Sequence, residues 1–167
     1  MTDEKTDWLF NKIQTFLKNP PLVVWGSGAT IPFGLPSMQN LNDQIKNEID
    51  FFNTANENLE IELGKDSYIE NLNDIKKIIW KSINSANEEI LIKLLKGEIS
   101  EFEGIYKLVS KFVSAHPGVV NIVTTNYDMV LEYVLSYYNY EFTDGTTGKN
   151  LSSINEKLFK KENIVNI

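Results

Sequence analysis

Two short apolar runs, each handing over at once to a polar loop and then to a helical pattern, constrain this chain more than any other feature. Leu22-Val23-Val24-Trp25 follows Asn19-Pro20-Pro21 and runs into Gly26. Val119-Val120-Asn121-Ile122-Val123-Thr124 follows His116-Pro117-Gly118 and runs into Thr125-Asn126. Runs rich in β-branched residues and bounded by proline and glycine read as buried strands. Between and after them, apolar residues recur at helical spacing. Strands alternating with helices predict an α/β fold built on a parallel sheet.

The helical stripes can be placed along the chain. Trp8, Leu9, Ile13, Phe16 and Leu17 mark an N-terminal helix within residues 1–20. Residues 21–52 hold the first strand, its loop and a helix that Ser37 can cap, carrying Met38, Leu41, Ile45, Ile49 and Phe52. Residues 53–100 read as an inserted helical module. It has a polar stretch over 53–66, a helix through Ile69, Leu72, Ile75, Ile78 and Ile79, and a shorter helix through Ile90, Leu91, Leu94 and Leu95 ended by Gly97. Residues 101–167 hold the stripe Phe102, Ile105, Tyr106, Val109, Phe112 and Val113, the second strand, and a helix opening near Tyr127 and running through Val130, Leu131, Val134 and Leu135. A turn at Asp144-Gly145-Thr146-Thr147-Gly148 and a short helix around Leu158-Phe159 follow. The closing Ile164-Val165-Asn166-Ile167 looks like a strand just beginning, so the expected domain is single and C-terminally incomplete.

Composition removes several function classes. All 16 cations are lysines, scattered among 23 acids for a net charge of −7. Without arginine there is no bidentate fork for guanine or phosphate, which argues against direct nucleic-acid binding. The absence of cysteine removes disulfides and four-cysteine zinc sites and fits a reducing compartment. The N-terminus is polar and mostly acidic, and no apolar run approaches a bilayer-spanning length. The expectation is a soluble cytoplasmic protein with no metal and no membrane partner.

The first loop reads Gly26-Ser27-Gly28-Ala29-Thr30-Ile31-Pro32-Phe33-Gly34-Leu35-Pro36. It is not a G-x-G-x-x-G dinucleotide fingerprint, which would need glycine where Ile31 stands. Gly26 and Gly28 let backbone N–H groups approach a phosphate, Ser27 and Thr30 add hydroxyls, and a following helix would add its dipole. The competing reading is a tight strand-to-helix turn that simply tolerates glycine. The second loop, Thr124-Thr125-Asn126-Tyr127-Asp128, also leaves a strand for a helix and should lie beside the first. Its competing reading is capping, with Asn126 as N-cap and Asp128 in the first turn.

Taken in order, the two loops resemble those of the sirtuin family. Gly26-Ser27-Gly28-Ala29-Thr30 with Gly34-Leu35-Pro36 is similar to the sirtuin G-A-G-x-S…G-I-P loop, and Thr124 to Asp128 resembles T-Q-N-I-D. The spelling T-T-N-Y-D, followed by Asp144-Gly145 and Gly148, looks like the sirtuin-like domains of bacterial antiphage defence. The resemblance covers roughly residues 20–167 and implies a Rossmann-like parallel sheet with helices on both faces. It implies NAD as substrate, bound by Gly26, Ser27, Gly28, Ala29, Thr30, Phe33, Gly34, Leu35, Pro36, Thr124, Thr125, Asn126 and Asp128. Asn126 would sit by the reacting anomeric carbon, and Asp128 would hold the nicotinamide carboxamide.

Departures from the family narrow the implied activity. Deacylase sirtuins carry D-F-R after G-I-P and a four-cysteine zinc module; here Ser37-Met38-Gln39 follows Pro36 and cysteine is absent. The resemblance therefore implies hydrolysis of NAD to ADP-ribose and nicotinamide rather than deacylation. The family also places a histidine in an L-H-G segment about forty residues beyond the catalytic asparagine, a count that from Asn126 reaches the end of this sequence. The only histidine, His116, reads instead as a helix C-terminal cap. Two alternatives stay open: a sensor that binds NAD or ADP-ribose without cleaving it, and an assembly module docking on a second copy or a defence-system partner. Tyr133, Tyr137, Tyr138 and Tyr140 read as an aromatic packing edge.

Overall fold

The computed structural model describes residues 3–18, 22–50, 52, 59–114, 118–147, 153–160 and 165–167. In chain order the regular elements are α1 (Asp3–Lys18), β1 (Val23–Trp25), α2 (Met38–Glu48), α3 (Leu59–Leu63), α4 (Leu72–Leu95), α5 (Glu103–Val113), β2 (Val120–Thr124) and α6 (Val130–Tyr137). They continue as β3 (Phe142–Thr143), β4 (Thr146–Thr147), β5 (Ser153–Ile154) and β6 (Val165–Asn166), with short 3-10 turns between several of them. The chain divides into two compact units. One comprises residues 1–25, 99–125 and 131–167; the other comprises 26–98 and 126–130.

The first unit is built on a four-stranded sheet of order β1-β2-β6-β3 in which every pairing is parallel. The chain is thus α/β, as the alternation of strands and helices predicts. Val23 pairs Ile122, Val24 pairs Val123 and Trp25 pairs Thr124. Val120 and Ile122 are buried on one side of β2, while the adjacent Val24 and Val123 are 77% and 48% exposed on the other. The strand expected at 164–167 is seated between β2 and β3, with Val165 fully buried and the Asn166 amide donating to Asn121 Oδ1 at 2.7 Å. Phe102, Ile105, Val109 and Phe112 form the buried stripe of α5 and its leading turn. Leu131, Val134 and Leu135 supply that of α6. The tyrosine edge packs internally: Tyr138 stacks on Tyr106 of α5 at 4.3 Å between centroids, and meets Tyr137 edge-on. The helical periodicity at the N-terminus forms α1, but its Trp8, Leu9, Phe10 and Ile13 are exposed rather than packed.

Gly145 turns the chain into the antiparallel pair β4–β5 at φ +76, where the Phe159 ring occupies the space a Cβ would take. The positive φ favours glycine there, and a Cβ would in addition displace the ring.

The second unit is helical. Ser37 caps α2 as expected: its Oγ accepts from Asn40 N at 3.1 Å, while Asn40 Oδ1 accepts from Ser37 N at 3.0 Å. Leu41, Ile45, Ile49 and Phe52 then pack with Leu59, Tyr68, Ile75 and Ile78 into one core. Beside it, Glu62 is nearly fully buried and is satisfied by Lys65 Nζ at 2.6 Å and the Tyr68 hydroxyl at 3.0 Å. The two helices expected over 69–79 and 90–95 are one continuous α4 of 24 residues, and Ile69 belongs to the 3-10 turn before it. The stretch from Lys81 to Glu89 between them is largely polar but contains neither glycine nor proline and so continues the helix. Gly97 does end it, at φ +78, with Gly97 N bonding Leu94 O and Glu98 N bonding Lys93 O.

His116 and Gly148 lie outside the described residues, as does the polar stretch from 53 to 58.

Candidate functional site

The two loops leave the sheet at residues that face each other, since Trp25 and Thr124 are register partners on neighbouring parallel strands. Ligands of open α/β sheets bind at this carboxyl edge. Gly26 continues extended at φ −99 and ψ 169. Two successive 3-10 turns follow, closed by Ala29 N to Gly26 O and Thr30 N to Ser27 O, then by Phe33 N to Thr30 O and Gly34 N to Ile31 O. Gly34 ends the second at φ +102, a left-handed conformation that favours glycine. Gly26, Ser27, Gly28 and Ala29 are exposed, whereas Thr30 and Leu35 are buried and anchor the loop.

Gly26 and Gly28 behave differently from Gly34. Neither has a positive φ, and a Cβ built on either meets no atom within 4 Å. The turn itself therefore places no demand for glycine at these two positions. Ser27 N and Gly28 N head the first 3-10 turn and have no carbonyl within it to bond. The expected dipole of an α-helix opening on this loop is not present, because α2 begins only at Met38. A three-residue turn aligns too few peptides to replace it.

Within the helical unit, the second loop is joined to the first by side chains. Thr30 Oγ1 lies 3.0 Å from Asp128 Oδ2 and 3.0 Å from Ser27 O. A hydroxyl has one proton to give, and the charged acceptor holds it more strongly. Asn126 Nδ2 donates to the same Asp128 Oδ2 at 3.0 Å, and Val130 N donates to Asp128 Oδ1 at 3.2 Å. Asp128 thus gathers the buried threonine of the first loop, the neighbouring asparagine and the start of α6. Met129 N is taken by Asn87 Oδ1 of α4 at 3.0 Å.

This arrangement corrects the capping expectation. The helix begins at Val130 rather than near Tyr127, and Asp128, not Asn126, caps it. The Asn126 amide donates to Asp128. Of the remaining expected residues, Thr124 and Thr125 belong to the sheet unit, Thr124 at the end of β2 and Thr125 exposed beyond it. Phe33, Leu35 and Pro36 lie along the second 3-10 turn and the approach to α2.

Asn87 was not legible as a site residue. Its only sequence signal is an amide beside Ala86 on the stripe that continues through Ile90, where an apolar residue is the usual choice. Among the described residues no group of three or more His, Cys, Asp or Glu side chains could hold a metal ion. Among them, too, no helix is long and apolar enough to cross a membrane. No protein-family model, curated protein or solved structure matches this chain.

Proposed function

We propose that the chain is a sirtuin-like NAD-binding domain with a Rossmann-like sheet, and that its reaction is hydrolysis of NAD to ADP-ribose and nicotinamide in bacterial antiphage defence. The hydrogen bond between Thr30 and Asp128 carries the reading: it ties together the two loops whose ordered spelling resembles the sirtuin pair. The glycines support it as well. Open space around Gly26 and Gly28 is what a backbone cradle for pyrophosphate needs, and the fold gives no other reason for glycine there.

In this reading the C1′–N bond breaks with its electron pair leaving on nicotinamide, and a water oxygen bonds C1′ and loses a proton to solvent. The transition state resembles an oxocarbenium ion, so a fixed polar side chain that orients the water lowers the barrier. Asn126 fills that role, its amide held by Asp128. A carboxylate offers about four acceptor positions. Three on Asp128 are engaged, which leaves one for the carboxamide N–H of the leaving group.

The same accounting favours one alternative, binding of NAD or ADP-ribose without cleavage. Asp128 is the only carboxylate in the two loops and already holds three donors, so it is poorly placed to act as general base. Calorimetric titration with NAD and ADP-ribose, run beside a nicotinamide-release assay, separates the two. Release that is lost in Asn126→Ala supports hydrolysis. Binding without release supports the sensor, and neither binding nor release overturns both.

A further inference from the structure

The sheet unit leaves two apolar surfaces open, and each is of the kind that normally covers the other. Every described side chain of α1 from Glu4 to Thr15 is exposed. Leu9 and Phe10, spaced four and three residues before Ile13, form an apolar stripe with it. Trp8 flanks the stripe, with Lys12 Nζ over its ring. A helix of 16 residues is barely long enough to hold its shape alone in water, and packing of an apolar face is what usually stabilises one.

The second surface is the sheet face on which Val24 and its register partner Val123 are exposed. Leu22, two residues before Val24, extends it and is exposed as well. Parallel sheets are normally covered by helices on both faces. Val120 and Ile122 are buried on the opposite side of β2, whereas this side stays open at β1 and β2.

Area and charge select the occupant. Together these apolar side chains expose on the order of 800 Å² per protomer, about what each partner buries in a standard interface. Monomers rarely leave so much apolar surface in contiguous patches. Leu22, Val24, Asn121 and Val123 are all uncharged, which suits the α1 stripe. A net charge of −7, with Asp3, Glu4 and Asp7 at the start of α1, works against docking on an anionic membrane.

We propose that the chain forms a reciprocal dimer in which α1 of each copy lies on the Val24–Val123 face of the other. The contact is made twice about a two-fold axis, so the exchange closes and leaves neither surface uncovered. Both surfaces belong to the sheet unit, and the dimer requires neither Asn126 nor NAD.

Sedimentation equilibrium of the full chain without nucleotide tests this independently of the hydrolase reading. The parent is a dimer. Ile13→Glu in α1 and Val24→Lys in β1 change exposed positions, so circular dichroism matches the parent while each weakens the dimer at least about tenfold. Mixing the two variants restores a heterodimer: one seat pairs two unaltered surfaces, and the other sets the introduced carboxylate against the introduced ammonium. A parent that is monomeric at every concentration overturns the proposal. So does a Val24→Lys variant that dimerises like the parent, since α1 would then pair with α1. Variants that stay monomeric on mixing overturn the reciprocal arrangement. Flotation of a monomeric parent with phosphatidylcholine vesicles would assign α1 to a lipid surface instead.

Discussion

Thr30 and Asp128, 98 residues apart in sequence, are joined by a 3.0 Å hydrogen bond from a buried hydroxyl to a carboxylate that also caps a helix. The bond makes the first loop and the start of α6 mechanically dependent on each other.

Replacing Thr30 with the isosteric valine removes that donor from a charged acceptor without leaving a cavity. Loss of a hydrogen bond to a charged group costs about 1.5–3 kcal/mol. Urea unfolding should show the lower end of that range, because Asp128 is only half-buried. Thr30→Ser should recover most of the loss. A valine variant as stable as the parent would mean that the Thr30 hydroxyl contributes nothing to holding the two loops together.

The glycines separate a folding role from a binding role. Gly26→Ala and Gly28→Ala meet neither steric clash nor positive φ, so stability should hold or rise by up to about 1 kcal/mol. NAD affinity, where measurable in the parent, should fall at least about tenfold in either variant, because the methyl group holds the phosphate off the backbone. Retained affinity would reduce the loop to a turn.

Gly34 and Gly145 should respond in the opposite sense. Gly34→Ala places a methyl in open space but at φ +102, costing about 1–2 kcal/mol of backbone strain. Gly145→Ala adds a collision with the Phe159 ring to its positive φ and should cost more. In a double-mutant cycle, Phe159→Ala should relieve the steric part of the Gly145→Ala loss and leave the φ part. Thermal unfolding of the four proteins reads this directly.

Alkaline titration should find Tyr138 and Tyr140 deprotonating late. Burial holds the Tyr138 hydroxyl above the usual phenol range, helped by the Glu103 carboxylate, and burial does the same for Tyr140, helped by Tyr106. A folded pKa above the unfolded value means that the folded state keeps its proton longer. Their contribution to stability is then complete below about pH 10 and lost as pH rises through the folded values. Phenolate absorbance should show a late phase that Tyr138→Phe and Tyr140→Phe diminish. A titration curve that neither substitution alters would contradict the packing of this cluster.

Strands β1 and β2 and the α2 cap were legible because their signals are local: β-branched runs between breakers, and Ser37 three residues before Asn40. The continuity of α4 was not, because a polar middle resembles a loop until the absence of a breaker is weighed. The beginning of α6 was misplaced for a different reason. Asn126 and Asp128 are both good capping residues, and the choice is made by Thr30, a partner 98 residues away that no local window contains. The role of Asn87 depends on Met129 in the same way.

The position of β6 in the sheet has a kinetic consequence. β2 and β3 are near neighbours in sequence, yet neither pairs with the other; each hydrogen-bonds to β6. That half of the sheet cannot zip up locally and waits for Val165 and Asn166 to slot between two strands already made. Parallel pairings of this separation close large loops before any ladder energy is returned, so they slow folding. Asn121→Ala, which removes the acceptor for Asn166, tests the timing of that step. If β6 docks after the rate-limiting barrier, the substitution will speed unfolding and leave the refolding rate nearly untouched.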